Sequence, residues 1–328
     1  MSNFSVVARV LAGSAIFLAL ACPATSALAQ TFPNRPVNMI VAFPPGGGTD
    51  IVARKVAQGL SEMWKQPVIV ENKAGAGGTI GTAMVARSEA SGHTIFMATL
   101  GNLAVNQHLY PMDIDPAKDL VAITKVVDVN FVLVAHPSLP ANNVKELIAL
   151  AKQKPGELNY SSSGIGGAPH LAGALLMNMT GVKFTHVPYK GSGPSFTDLV
   201  GGQVDFTLDS LVQALPYIQS GRLKALAVLG SKRSPLLPDV PTVAESGVPG
   251  YEFTNWFGLV APSRTPRDIV AKLQSDISHV LKQPALRSEL EKMGADVVGN
   301  LPQQFAAQIT SESALWAKTI KDANIRRN

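Results

Sequence analysis

The chain has 328 residues, of which 46% are hydrophobic and 16% are charged, and its formal net charge is +5. This composition excludes a disordered chain, and the length exceeds the size at which one core usually keeps growing, so two domains are expected. Lys and Arg are scattered without a basic stripe interleaved with aromatic residues, so nucleic acid is not an expected partner.

The first 29 residues have the pattern of a secretory signal peptide. "MSNFSVVAR" carries one positive charge at Arg9, an apolar stretch too short to span a bilayer follows, and residues 27–29 form an A-x-A cleavage site. We therefore predict export to the periplasm and a mature chain that begins near Gln30.

The single cysteine, Cys22, lies inside this segment. A lipoprotein with Cys22 as its first residue is the weaker alternative, because Ala19 stands where a lipobox prefers Leu. Cleavage after Ala29 leaves a mature protein without thiol nucleophiles or cysteine metal ligands. No cofactor or metal site is expected, since the histidines are dispersed without metal-ligand spacing: His93, His108, His136, His170, His186 and His279.

From residue 37 onward, short β-type runs alternate with helical patterns. The first predicted strands are 37–43, 68–73 and 94–99, and the helices between them are 49–64 and 78–90. The pattern resumes with helices 143–156 and 169–181 and strands 158–163, 183–189, 204–209 and 223–230. A later amphipathic helix places Ile269, Leu273, Ile277 and Val280 on one face. This alternation predicts an α/β fold with helices on the faces of a parallel sheet.

Two long apolar runs, "ITKVVDVNFVLVAHP" (123–137) and "EFTNWFGLVAP" (252–262), interrupt the alternation. Each could be an ordinary strand in one large sheet. Alternatively, both connect two lobes, with residues 30–127 and 254–328 in the first lobe and 128–253 in the second. Two facing α/β lobes would share one ligand cleft at the carboxyl ends of their strands.

Two glycine-rich loops stand at equivalent points of these halves, each between a strand and a helix. "AFPPGGGTD" (42–50) lacks both the Lys of a P-loop and the G-x-G-x-x-G spacing of a dinucleotide site. "NYSSSGIGGAPHLAGALL" (159–176) repeats its chemistry with additional hydroxyls. We predict that two helix N-termini, one per lobe, hold one small anion, most simply a carboxylate. Two tight turns without a ligand are the alternative.

At these residues the sequence resembles the Bug-type extracytoplasmic solute receptors, the TctC family of tripartite tricarboxylate transporters. The resemblance also includes "VENKAGAGGTIGTAMVARSEASGHT", "HVPYKGSGPSFTDLVGGQVDFTLDS", "LPDVPTVAESGVPGYE" and "WFGLVAPSRTP". It implies a two-lobed, type II (Venus-flytrap) periplasmic-binding-protein fold. It also implies a monomeric receptor that passes a dicarboxylate, an aromatic carboxylate or an acidic amino acid to membrane components of such a transporter.

The resemblance further implies the ligand-binding residues. In the first loop and beyond it they are Phe43, Gly47, Gly48, Thr49, Asp50, Gly77, Gly78, Thr99 and Asn102. In the second half they are Ser162, Ser163, Gly166, Gly167, Ala168, His170, Tyr189 and Asp209. Helix capping is the favoured role of Asp50, and His170 could equally cap or pack. Asp209 would pair with an amino group of a ligand or act as a structural cap.

Two other functions compete with transport. The same receptor could serve as a ligand sensor for a signalling partner, which the residues do not distinguish from transport. A periplasmic hydrolase would need Ser163, His170 and Asp209 to meet, but no G-x-S-x-G, S-x-x-K or H-E-x-x-H motif is present. The protein is therefore not expected to be an enzyme.

Overall fold

The computed structural model of the protein describes residues 32–322 and 325. The predicted signal peptide, its cleavage site and Cys22 lie outside these residues. Across the described part of the chain, no helix combines the length and the apolar character needed to cross a membrane.

The strands alternate with helices along the chain. The strands are β1 (Val37–Val41), β2 (Val68–Asn72), β3 (Thr94–Thr99), β4 (Leu120–Val129), β5 (Phe131–Ala135), β6 (Asn159–Ser162), β7 (Thr185–Pro188), β8 (Phe206–Ser210), β9 (Lys224–Val228), β10 (Asn255–Pro262) and β11 (Ala295–Val297). The helices are α1 (Gly48–Trp64), α2 (Thr79–Ala86), α3 (Pro116–Asp119), α4 (Val144–Gln153), α5 (Ala168–Thr180), α6 (Ser192–Val200), α7 (Leu211–Gln219), α8 (Arg267–Leu281), α9 (Pro284–Lys292) and α10 (Pro302–Asp322).

Short helical turns and one early helix end complete this description. A 3₁₀ turn (Ala76–Gly78) precedes α2, and a π-helix (Gly101–Val105) and a second 3₁₀ turn (Asn106–His108) follow β3. The prediction that α2 continues to residue 90 is wrong. The helix ends at Ala86, where the Ser88 hydroxyl donates to the carbonyl of Val85 and so competes with further helical bonds.

The described strands form a six-stranded sheet in the order β11-β4-β10-β3-β1-β2 and a five-stranded sheet in the order β7-β6-β8-β5-β9. We call the first sheet with its helices the first lobe and the second sheet with its helices the second lobe. The alternation had predicted a parallel sheet, but both sheets are mixed. β10 is antiparallel to β3 and β4, and β5 is antiparallel to β8 and β9.

Two of the reversed strands, β5 and β10, are those at which the chain passes between lobes, whereas the third, β11, is antiparallel to β4 at the edge of the first sheet. β4 and β5 belong to different sheets and are separated only by Asn130. On the return, the Phe253 amide donates to the carbonyl of Leu229 beside the second sheet, and β10 begins two residues later in the first sheet. Each long apolar run thus contributes to both lobes, so the one-sheet alternative is wrong. The lobe boundaries at residues 127 and 253 stay a prediction, since β4 itself continues to Val129.

The reversal has a geometric cause that positions the site. A strand that enters a lobe from the other lobe starts at the cleft and runs away from it. The parallel strands of the same lobe end at the cleft. The carboxyl ends of β1, β3, β6 and β8 therefore meet the starts of β5 and β10 in one place.

Helix periodicity correctly predicted most of the buried face of α8. Leu273, Ile277 and Val280 are buried, whereas Ile269 is only partly buried. Leu60 of α1 is also buried, and Gly59 stands so close to Val280 that an added Cβ would lie 2.5 Å from its side chain. This close packing fixes the direction of α1, and hence where its N-terminus points.

Candidate functional site

A cavity of about 30 Å³ lies where the strand ends of the two lobes meet. Its volume suits a group of about two water-sized units, such as a carboxylate. We call it the inner cavity. Its lining residues are Phe43, Gly47, Gly48, Thr49, Thr99, Phe131, Ser163, Ala168, Pro169, Ser192, Asp209, Ser210, Asn255 and Phe257.

The N-termini of two helices from opposite lobes open onto the inner cavity. α1 begins with Gly48 and Thr49, and α5 begins with Ala168 and Pro169. The first N–H groups of a helix have no partner within the helix, and the helix dipole adds positive potential there. The predicted pair of helix N-termini is therefore present, and each can donate to one shared anion.

Gly48 allows the backbone to approach the cavity closely. A Cβ at this position would lie 2.6 Å from the Ser210 hydroxyl and 3.7 Å from the ring of Phe257, and both residues line the cavity. Its backbone is helical, so the absence of a side chain rather than an unusual φ is what the position requires. Any side chain at position 48 would fill part of the cavity and leave less room for an anion.

Asp209 is the one acid or base among the inner-cavity residues. Its side chain is 3% exposed, and both of its oxygens accept hydrogen bonds, Oδ2 from the Ser192 hydroxyl and Oδ1 from the Ser210 amide, each at 2.6 Å. Burial raises the pKa of this carboxyl to about 6, against the opposing effect of the two serines. Asp209 can therefore exist in either protonation state near neutral pH.

Asn255 faces the inner cavity with a polar atom that has no partner in the described chain. It is buried, and its Oδ1 accepts no hydrogen bond. Because side chains alternate along a strand, Asn255 and Phe257 point to the cavity while Trp256 points the other way. The Trp256 indole N–H donates to Glu312 at 2.6 Å, which links β10 to α10.

A second cavity of about 140 Å³ adjoins the first, and Phe43 and Ser163 line both. We call it the outer cavity. It contains the predicted Gly77, Gly78 and Tyr189 together with Ala42, Gly75, Ala76, Tyr110, Gly164, Ile165, Pro188 and Lys190. A molecule with one end in the inner cavity would extend past Phe43 into this space. Thr99, also among the predicted residues, lies in the inner cavity.

Six predicted residues line neither cavity and instead hold the loops in place: Asp50, Asn102, Ser162, Gly166, Gly167 and His170. The Asp50 carboxylate accepts from the Gly46 amide at 3.0 Å and pairs with Arg54 and Asn72. These hydrogen bonds lower its pKa although burial opposes them. Asp50 thus holds the loop that precedes α1 in place, and its favoured role as a helix cap stays a prediction.

Asn102 supports the end of β3. Its Oδ1 accepts from both the backbone N–H and the hydroxyl of Thr99, each at 3.0 Å. Its Nδ2 finds no partner in the described chain and lies against Gly78, where an added Cβ would come within 2.3 Å of it. Asn102 therefore fixes Thr99 and restricts position 78 to glycine.

A pair of stacked imidazoles supports the second glycine loop. The Gly166 amide donates to Nδ1 of His170 at 3.1 Å, and the rings of His170 and His186 are 4.3 Å apart. His186 Nε2 is 2.6 Å from the hydroxyl of Ser162, which accepts the Gly164 amide. Burial lowers the pKa of His170 to about 4 and that of His186 to about 3, so both rings are neutral at neutral pH.

The hydrolase hypothesis requires contacts that the described residues do not make. Ser163 and Asp209 line the inner cavity, but His170 is engaged with Gly166 and hydrogen-bonds to neither. Within residues 32–322, no cluster of three metal-ligating side chains occurs.

Sequence reasoning missed Phe131, Pro169, Ser192, Ser210, Asn255 and Phe257 in the inner cavity. The one feature of the sequence that could have identified Asn255 is its polar amide side chain within a mostly apolar run. Its role depends on β10 returning to the first sheet, which the local pattern left open.

The fold and the site together define the class of the protein, a two-lobed periplasmic binding protein. The structure superposes on that of the periplasmic binding protein BugD with a TM-score of 0.87 and 38% identity, covering 90% of this chain and 100% of that one. The fold predicted from the sequence is thereby confirmed.

The chain belongs to the tripartite tricarboxylate transporter receptor family, TctC, whose sequence profile matches residues 52–325. It is 39% identical to R. palustris Rpa4515 with adipate, with a TM-score of 0.88 over 90% of this chain and 99% of that one. It is 34% identical to MatC (Rpa3494) from Rhodopseudomonas palustris with bound malate. The TM-score is 0.85, and the match covers 88% of this chain and 100% of that one. The predicted family is confirmed, and these relatives are receptors that bind solutes.

Proposed function

We propose that this protein is a periplasmic receptor that captures a small carboxylate between its lobes and delivers it to the membrane components of a tripartite tricarboxylate transporter. The observation that carries the proposal is the convergence of the α1 and α5 N-termini on the inner cavity. No basic side chain of the described residues lines that cavity, so the N–H groups are its source of positive potential.

Two relatives support the ligand class, since their structures hold adipate and malate. Both are dicarboxylates, and the adjoining cavities offer separate places for the two ends of such a molecule. In this proposal the chain reaches the periplasm through cleavage after Ala29, acts as a monomer and performs no catalysis. Ser163, His170 and Asp209 support that last point, because they form no nucleophile–base pair.

The test is a thermal-shift panel of acetate, butyrate, succinate, malate, adipate and benzoate with the mature protein. A carboxylate present at a hundredfold excess over its Kd should add about 2.7 kcal/mol of stability, which gives a clear shift. The methyl ester or amide of the same acid should bind far more weakly, because charge-assisted bonds to N–H groups are lost.

A matched pair of glycine variants tests the location. Gly48→Ala places a methyl group against Ser210 and Phe257 inside the cavity, and should abolish the shift while the protein stays folded. Gly230→Ala is the control, because its Cβ would meet only the Lys232 carbonyl at 3.8 Å. Full-strength binding by Gly48→Ala would refute the proposed site, and a panel without any shift would refute the ligand class.

A further inference from the structure

The inner cavity combines two features that conflict if it binds an ordinary carboxylate. The helix N-termini favour an anion, yet the same cavity contains the buried carboxyl of Asp209. Two carboxylates confined in one small, desolvated space cannot both be ionised without a large repulsion. Something must neutralise one of them when the ligand enters.

Among the described residues, no charged side chain other than Asp209 lines the inner cavity, and Lys190, which lines the outer cavity, is exposed. The elements packed against β8 carry the titratable residues Tyr160 on β6, His170 on α5, Asp198 on α6 and Tyr217 on α7, and none of them lines the cavity. β5, the other neighbour of β8, has none between its bounds.

Across the cavity, on the first lobe, the nearest acid along the α1 loop is Asp50, whose charge is matched by Arg54 at 2.9 Å. Asn255 and the serines around Asp209 are uncharged. The remaining source of neutralisation is a proton from solvent.

An ammonium group on the ligand would be the other solution, and the hydrogen bonds that Asp209 already accepts count against it. Each oxygen of Asp209 already accepts one hydrogen bond, from Ser192 or from Ser210. Each oxygen therefore has one remaining position toward the ligand, which holds either a lone pair or, in the protonated carboxyl, the proton.

We propose that Asp209 binds the ligand's proximal carboxylate through one shared proton, so that each carboxylate enters the inner cavity together with one proton. This inference rests on the proposed function and adds a selectivity to it. The receptor binds carboxylates that have no charged amino group beside the proximal carboxyl. The proton comes from water at binding and returns to water at release, and no covalent bond changes.

The experiment uses the panel acid that gives the largest thermal shift. Its Kd is measured by titration calorimetry from about pH 6.5 to about pH 8.5, where both carboxyl groups of a dicarboxylic acid are largely ionised. Wild type should lose affinity about tenfold per pH unit above about pH 7. Calorimetry at pH 8 in two buffers of different protonation enthalpy should report uptake of about one proton per bound acid.

Asp209→Asn should bind the same acid with a Kd that does not change across this range and without proton uptake. The buried acid Asp276 on α8 does not line the cavity, so Asp276→Asn should titrate like wild type. The buffer experiment needs no variant, so it decides the question even if Asp209→Asn does not fold.

The outcomes separate cleanly. A wild-type Kd that does not change with pH overturns the inference. In that case, normal binding by Asp209→Asn would indicate a purely structural role for Asp209, and loss of binding would indicate that Asp209 pairs with a cation of the ligand. Either result leaves the proposed function intact. Absence of binding by every acid of the panel refutes the proposed function and this inference with it.

Discussion

The Tyr110 hydroxyl donates a hydrogen bond of 2.7 Å to the backbone carbonyl of Ile165. Tyr110 belongs to the first lobe, whereas Ile165 lies in the glycine loop that precedes α5 in the second lobe, and both residues line the outer cavity. On the same cleft, an added Cβ on Gly191 would lie 2.4 Å from Pro44. The lobes are therefore in direct contact around the cavities.

We expect Tyr110→Phe to release ligand faster. Loss of one neutral hydrogen bond costs about 0.5–1.5 kcal/mol, so the dissociation rate should rise about 2-fold to 13-fold. Stopped-flow dissociation of the bound acid measures this. Tyr217→Phe, which alters a partly buried tyrosine on α7 away from both cavities, should leave the rate unchanged. An unchanged rate for Tyr110→Phe would show that the hydrogen bond does not hold the closed form.

Asp209 should make the ligand-free protein less stable as pH rises. Its pKa of about 6 lies above the ordinary value of 3.8, so the folded state binds more protons than the unfolded state between these values. The free energy of unfolding therefore falls as pH rises from about 4 to about 6, by on the order of 3 kcal/mol. In Asp209→Asn the side-chain oxygen can still accept from the Ser210 amide and the NH2 group can donate to the Ser192 hydroxyl, so the variant should be more stable than wild type above about pH 6.

Urea unfolding of the two ligand-free proteins at several pH values measures this effect. The advantage of Asp209→Asn should shrink as pH falls and vanish near pH 4. A difference that is constant from about pH 4 to about pH 7 would mean that the carboxyl of Asp209 titrates normally.

The imidazole pair should act in the opposite direction. The pKa values of His170 and His186 are lowered by burial, so the unfolded state binds more protons than the folded state as pH falls below about 6.5. Their contribution to stability is complete above that pH and is lost toward about pH 4. His170→Asn keeps an acceptor for the Gly166 amide but cannot titrate. Its melting temperature should consequently fall less steeply with acid, and parallel slopes would contradict the assignment.

Ligand binding should alter tryptophan fluorescence through the aromatic residues that pack beside the inner cavity. Phe131 lines the inner cavity, its ring is 5.4 Å from Phe253, and that ring is 6.0 Å from Trp316. Trp256 follows the cavity residue Asn255 directly. We expect Trp256→Phe and Trp316→Phe each to reduce the ligand-induced change, and Trp64→Phe, on α1 against Asp276, to preserve it. A ligand-induced fluorescence change that disappears in Trp64→Phe and persists in the other two variants would contradict this prediction.

The parts of the site that could be predicted are those encoded in local sequence. Phe43 follows β1, and Gly48 and Thr49 begin α1. Ser163 follows β6 and Ala168 begins α5 in the second lobe, so the arrangement of these residues follows from adjacent positions in the chain. The chemistry of a helix N-terminus then predicts an anion without knowledge of the fold.

The remainder depends on long-range structure. Phe131, Asn255 and Phe257 reach the cavity because two strands enter their sheets from the opposite lobe, and no local pattern encodes that direction. Likewise, His186 meets Ser162 only because β6 and β7 pair in one particular register. The sequence suggests Ser162 as a ligand-binding residue, whereas the packing shows that its hydroxyl accepts the Gly164 amide and so holds the second glycine loop.

The insertion of β10 between β3 and β4 affects the order in which the chain can fold. The strands of the second sheet come from one continuous segment, 131–228, whereas the first sheet needs Asn255–Pro262 to join its two halves. Until that segment has been synthesised, β3 and β4 are separate edges with exposed backbone hydrogen-bonding groups. The second lobe can therefore become native early, while the first lobe must wait for nearly the whole polypeptide.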